Sequence, residues 1–405
     1  MNLSPPNGAS VCQRKCFANR PSFPDTRAPM RRFSSAFLAL FLIACSSSHA
    51  SIPVADAGPP DAAELPDSPL VETLDGILAP EFEAGRYSGV TLVAEDGHAT
   101  GGRAYGMADE GTKRPNDAQT IFHIGSLTKQ FTATAILRLE QDGKLTTKTP
   151  VADFFPELSR ANLAKENVDA TLDDLLTHTS GIPPLEAAQG FRDGAFRRAF
   201  TPDELIALIK DTPLVAKPGT VFAYSNTGYL LLARIVEKVS GRSFENYLQE
   251  TFFRPLAMTD TTTILSKDQR DRAAIGYATI SGKHQALSQM SAFGDPDLTV
   301  AFGAGNLKST APDLVTWSRA LDGTRVLNEA QKKKLWTPRL SSYACGWVVD
   351  AKGQWHNGAI SPLGFYALLV RTPSSGRVTV ILSNYDSDLQ PPRLEGKLLA
   401  AAEGP

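Results

Sequence analysis

Ser126-Leu127-Thr128-Lys129 places a hydroxyl and an amine three residues apart at the start of an apolar-periodic stretch. On a helix that spacing puts both side chains on one face. A serine hydroxyl is a weak nucleophile at its own pKa and needs a neighbouring base, which a desolvated lysine supplies. The helix N-terminus also aims unpaired N–H groups and a partial positive charge at the serine, so Ser126 N–H is one oxyanion donor. Tyr224-Ser225-Asn226 lies between the turn Lys217-Pro218-Gly219 and an apolar helix. Tyr224 can hold or relay a proton, and Asn226 can donate to a substrate carbonyl while contacting Lys129. His356-Asn357-Gly358 closes a strand that follows a tight turn. His356, when protonated, can bind a carboxylate, or it can tune Tyr224 and Lys129. Gly358 leaves room for a substrate backbone along the strand edge, and Ala359 N–H is the second oxyanion donor. Each motif alone also reads structurally. Ser126 serves as a helix cap with Lys129 a surface charge, Ser225 or Asn226 caps the next helix with Tyr224 packed nearby, and His356 is a strand histidine.

These residues need elements to hold them. Asp96-Gly97 between the apolar runs 90–94 and 99–107 signals a hairpin. The Ser126 helix should run to about Asp142 with Gly143 as its cap. Thr201-Pro202-Asp203-Glu204 is a capping box whose helix should stop at Thr212-Pro213. Helices are expected from Thr227 to Ser240, from Ser243, and from Thr310 to near Gly323. The pattern then becomes period two: Gly346 to Asp350, Gln354 to Gly358, Phe365 to Val370 and Val378 to Ser383, with a closing helix over Arg393 to Ala402. Strands at both ends with helices between predict an α+β fold, an antiparallel sheet from both termini flanked by helices and carrying a mostly helical insertion. The expected partition is a sheet domain over 69–150 and 301–405, a helical domain over 151–300, and an active site in the cleft between them. Loops near 183–200 and 284–300 should shape the pocket.

The bulk properties exclude other classes. The 405 residues carry 41 basic and 43 acidic side chains, a net charge of −2. Residues 1–44 hold six basic residues and one acidic, so the rest has 35 against 42, a net of −7, which argues against nucleic-acid partners. No histidine spacing suits a metal, no His-Glu-x-x-His or Gly-x-Ser-x-Gly occurs, and no cofactor or metal is expected. The run Gly303 to Thr310 has leucine where a phosphate loop needs its last glycine. Cys345 reads as a small buried hydrophobe. Arg31-Arg32 before the apolar run Phe33 to Ala44 is a signal-peptide pattern too short to span a bilayer. Residues 46–68, rich in Ser, Pro, Ala and Asp, read as a disordered tether. Met30 is an alternative start.

Taken together, the ordered motifs resemble the penicillin-recognising serine hydrolases, the class C β-lactamase and DD-peptidase family. Phe122-His123-Ile124-Gly125, Leu176 to Ile182 and Gly303 to Leu307 with Ser309-Thr310 add to the resemblance, which covers residues 70 to 390. It implies acyl transfer: Ser126 attacks a carbonyl, Lys129 and Tyr224 take its proton, and Tyr224 serves the leaving group and deacylation. Asn226, His356, Gly358 and Ala359 form the substrate and oxyanion subsite. His-Asn-Gly stands where β-lactamases of this type carry Lys-Thr-Gly, a pattern that resembles DD-carboxypeptidases, D-amino-acid peptidases and family esterases. No Glu-x-x-x-Asn phrase lies between Asn226 and His356. Leu42-Ile43-Ala44-Cys45 resembles a lipobox, which implies lipidation at Cys45 and an exported protein held in the cell envelope, at the outer membrane of a Gram-negative cell. The expected form is a monomer acting on a small-molecule or peptidoglycan-like peptide. Alternatives are a carboxylesterase or a non-catalytic penicillin-binding sensor.

Overall fold

The computed structural model describes residues 67–158, 170–188, 191, 199–280, 283–286, 298–360, 363–386 and 393–403. All of them fall within the compact unit Ala57–Pro405. Cys45, the leader and nearly all of the tether lie outside the described residues, as do 189–190, 192–198 and 287–297 of the expected pocket loops.

The fold is α+β. A six-stranded sheet is ordered His98–Tyr105, Gly89–Glu95, Arg377–Ser383, Phe365–Thr372, Gly353–Ile360 and Val348–Asp350, and every pairing is antiparallel. Asp96 and Gly97 take positive φ, as the two-residue hairpin requires. The sheet is covered on both faces, so its central strands 89–95, 365–372 and 377–383 are nearly continuous buried runs. Along 365–370 the side chains alternate between two cores. Tyr366, Leu368 and Val370 meet Val71, Leu74 and Leu78 of the Pro69–Glu83 helix and Leu398 and Leu399 of the closing helix Arg393–Glu403. Phe365, Ala367 and Leu369 face the core that holds Phe131, Trp317 and the other helices. Ridge contacts there are aromatic: Phe131 stacks on Trp317 at 4.2 Å between ring centroids. Cys345 is buried in this core, and burial pushes its thiol up to about 12.

Expected helices recur with shifted ends. The Thr201 capping box forms, but its helix stops at Ile209. Thr310 caps Ala311–Ala320, and Ser243 caps Phe244–Leu248. Two of the unanticipated elements shape the fold most. The Pro69–Glu83 helix carries Ser68 as a working N-cap, proline at its first turn, and Val71, Leu74 and Leu78 at helical spacing. Its internal Gly76 and Pro80 masked that signal. The second is a hairpin, Tyr277–Ile280 with Lys283–Ala286, inside the stretch expected to be mostly helical. It pairs in parallel with Tyr385–Asp386, a contact over a hundred residues away that no local pattern encodes.

Candidate active site

Ser126 sits in a short 3₁₀ turn, Gly125–Leu127, that leads into the helix Thr128–Gln141. Gly125 has φ +51, and Gly143 beyond the other end has φ +68. The turn is pinned from its far side: Leu307 accepts from Ile124 N–H at 3.1 Å, and Leu307 N–H donates to Thr128 Oγ1 at 3.1 Å. Lys129 follows one turn on and is fully buried. Its Nζ lies 3.0 Å from Ser126 Oγ, 2.8 Å from Asn226 Oδ1 and 2.8 Å from Ala304 O. Desolvation holds its pKa well below the usual lysine value. A neutral amine has two N–H bonds and one lone pair. Asn226 Oδ1 and Ala304 O accept the two N–H groups, so the lone pair faces the Ser126 hydroxyl. That is the arrangement of a base beside a nucleophile.

Tyr224 closes the same cluster. Its hydroxyl is hydrogen-bonded to Ser126, and Lys129 Nζ lies 4.8 Å from its ring centroid. The residue as a whole is 44% exposed, yet its hydroxyl end is enclosed, which drives its pKa above the ordinary tyrosine value. Tyr224 therefore carries its proton at neutral pH, while burial shifts Lys129 toward its neutral form.

The Tyr224 loop is held by His178. Its carbonyl accepts from Ala223 N–H at 2.8 Å, and its Nδ1 accepts from Ser225 N–H at 3.1 Å. His178 has φ +56 and packs its ring 4.3 Å from that of Tyr224. This changes the expected cap. Ser225 occupies the N-cap of the helix Asn226–Ser240, but its side chain makes no capping bond, and the Asn226 side chain turns to Lys129 instead.

His356 is buried and spoken for. Its Nε2 lies 3.0 Å from the Tyr343 hydroxyl, and its Nδ1 meets the carbonyl of Asn357. Nδ1 must then carry the proton, and Nε2 accepts from Tyr343. Burial, with Lys129 adding to it, lowers its pKa to about 3. The expectation that protonated His356 binds a carboxylate is corrected here, because the ring is neutral and both nitrogens are engaged. Tyr343 was missed, since nothing in its sequence context marks it. The Tyr229 hydroxyl nearby gives its proton to Leu176 O at 2.8 Å. The carbonyl of Ala304 was missed as well, although it lies in the Gly303 to Leu307 phrase.

Gly358 is needed for a different reason from the expected one. A Cβ there would fall 2.0 Å from Ile124 O and 3.0 Å from Ser126 N. A Cβ on Gly125 would in turn fall 3.0 Å from Ala359 N. The two backbones are in direct contact, so the glycine admits the nucleophile turn rather than a substrate. The ladder to Val348–Asp350 ends at Trp355, which leaves the Gly358–Ile360 edge to the Ser126 turn. The N–H groups of Ser126 and Ala359 thereby belong to one small backbone junction, and both residues line a pocket of about 190 Å³. Among the described residues, no group of three or more His, Cys, Asp or Glu side chains could hold a metal ion.

A Ser-x-x-Lys nucleophile on a helix that packs against one face of an antiparallel sheet defines a serine hydrolase of the penicillin-recognising architecture. The chain belongs to the β-lactamase family, whose model it matches over residues 70–403. It is 30% identical over 313 residues to PbpX of Bacillus subtilis (strain 168), covering 77% of this chain and 74% of that one. The octameric penicillin-binding protein homologue from Pyrococcus abyssi superposes with a TM-score of 0.68 at 25% identity, covering 82% of this chain and 76% of that one. D-amino acid amidase from Ochrobactrum anthropi SV3 shares the fold, with a TM-score of 0.69 at 23% identity over 83% of this chain and 98% of its own.

Proposed function

We propose that this protein cleaves small amide or ester bonds through an acyl-enzyme on Ser126, with D-amino-acid amides or peptides as the first candidate substrates. The carrying observation is the fully buried Lys129, its pKa lowered by desolvation, with Nζ 3.0 Å from Ser126 Oγ. In acylation, Ser126 Oγ bonds to the carbonyl carbon as its proton passes to Lys129 Nζ. The N–H groups of Ser126 and Ala359 receive the oxyanion. As the tetrahedral intermediate collapses, the bond to the leaving nitrogen or oxygen breaks. Tyr224 gives that atom its proton and is reprotonated by Lys129. Water then adds to the acyl carbon, losing a proton along the same Tyr224–Lys129 route, and Ser126 departs with it. Because the Tyr224 pKa is raised, this route needs Lys129 as the proton acceptor and Tyr224 as the carrier. Asn226 orients Lys129 and is placed to meet a substrate carbonyl.

The amidase fold relative favours amides, while the histidine of the third motif fits peptidases and esterases alike. The apolar pocket beside Ser126 favours a carboxylesterase as the second reading. Intact mass after mixing the protein with benzylpenicillin and, separately, with a p-nitrophenyl ester tests both. An adduct or turnover on the wild type and none on Ser126→Ala is expected. Neither on either reagent, together with no cleavage of a D-amino-acid amide, overturns the acyl-enzyme reading and favours a non-catalytic penicillin-binding module.

We also propose an exported monomer anchored through Cys45. The Arg31-Arg32 and Leu42 to Cys45 pattern supports the anchor, and the catalytic set coming from one chain supports the monomer. Radiolabelled palmitate that enters the wild type and Cys45→Ser equally rules out the anchor, and light scattering of the detergent-free domain reads the oligomeric state.

A further inference from the structure

The pocket that opens at Ser126 is walled mainly by Phe191, Leu298, Val300, Ile360 and Leu363, with Glu186 and Asn226 as polar wall residues. Its shape is built in. Leu298 is held in the left-handed region at φ +53, a conformation unfavourable for a leucine, and the 3₁₀ turn Thr299–Ala301 follows it. Thr299 is tied to the Phe200 N–H at 2.8 Å. The next residues are bound to the catalytic helix: Gly303 O accepts from Thr132 Oγ1 at 2.6 Å, and Ala304 O accepts from Lys129. The stretch that follows the Leu298–Val300 wall is thus bonded to the helix that carries the base.

Stereochemistry assigns the pocket. A carbonyl carbon under attack by Ser126 Oγ has its oxygen at the N–H groups of Ser126 and Ala359. Two substituents remain. The leaving group must lie within hydrogen-bond reach of Tyr224 to receive its proton. Neither Tyr224 nor its neighbours His178, His356 and Tyr343 line the pocket, whereas Ser126 and Ala359 do. The pocket thus takes the other substituent. A cavity of about 150 Å³ with similar aliphatic and aromatic walls holds a benzene ring, so about 190 Å³ accommodates one ring or a chain of several carbons.

We infer that the Leu298–Val300–Leu363 pocket is the acyl site and selects uncharged, apolar acyl groups of up to one aromatic ring or a medium alkyl chain. This deepens the acyl-enzyme reading and rests on it.

The test is a kcat/KM series on p-nitrophenyl acetate, butyrate, hexanoate and phenylacetate, which share one leaving group. The expected result is a rise of at least about tenfold from acetate to hexanoate and to phenylacetate, since each added methylene in such a pocket counts severalfold. In Val300→Asp, and separately in Ala301→Phe, the hexanoate-to-acetate ratio should fall below about one third of the wild-type ratio. Reading a ratio removes any general loss of active enzyme. A flat or falling series in a wild type that is acylated by all four esters overturns the pocket assignment and leaves the acyl-enzyme standing. A wild-type rise with unchanged ratios in both variants overturns it too, because the selectivity would then arise elsewhere. Failure of all four esters to acylate Ser126 overturns both.

Discussion

Gly358→Ala should nearly abolish turnover without unfolding the protein. The added Cβ would stand 2.0 Å from Ile124 O, whereas real Cβ contacts do not fall below 3.0 Å, so the contact has to open by about 1 Å. The strand side is the stiffer one, because Gly358 is held in register with Ala367 in the middle of the sheet. The displacement therefore falls on Ile124–Ser126, the turn that carries the nucleophile. A misplacement of about 1 Å in reacting groups costs on the order of a hundredfold in rate. Overpacking of this kind costs about 1–3 kcal/mol of stability. Against a typical total of about 5–15 kcal/mol, even the worst case leaves well over nine-tenths of the protein folded. Lost stability therefore cannot account for a hundredfold loss of rate. The assay is stopped-flow acylation by a chromogenic ester, with the melting temperature read on the same sample. A variant within threefold of wild-type kcat/KM, melting normally, would refute the argument that the glycine exists to admit the nucleophile turn.

Three further outcomes follow from the same geometry. The acid limb of kcat/KM should reflect Lys129 losing its proton at a pH far below that of an ordinary lysine, so activity is already developed at neutral pH, and a limb near pH 10 would contradict the neutral amine. Stability should fall on acidification: His123, His178 and His356 are buried with lowered pKa values, so unfolding takes up protons below the unfolded histidine pKa of about 6.5. Asp313, raised to about 6, works the other way by releasing a proton, but three histidines and Lys129 take protons up against that one release; denaturant titrations giving equal stability at pH 6 and pH 4.5 would exclude this. Tyr343→Phe leaves His356 Nε2 buried without its donor, at a cost of about 1–3 kcal/mol, and in the wild type ¹⁵N spectra of labelled histidine should show His356 neutral and protonated at Nδ1; an Nε2–H signal would refute the assigned tautomer.

What the sequence made legible was local chemistry and local punctuation. Ser126 and Lys129 could be paired from their spacing because a helix fixes which side chains meet at i and i+3. The strands 365–370 and 378–383 could be read as apolar runs between turn signals, and they form the centre of the sheet. The parts that escaped notice depend on neighbours distant in sequence. His356 offers a protonatable ring in isolation, and only the approach of Tyr343 from thirteen residues away makes it a neutral acceptor. Ser225 has the chemistry of a cap, but its N–H is claimed by His178, forty-seven residues back, and its side chain does not cap. Gly358 shows the difference most plainly. A glycine after a strand histidine announces that something comes close, and the residue itself carries no sign of whether that is a substrate or Ile124 O. Residue type sets what a group can do. The second chain segment packed against it decides which of those things it does, and at Gly358 that segment is the backbone of the catalytic turn itself.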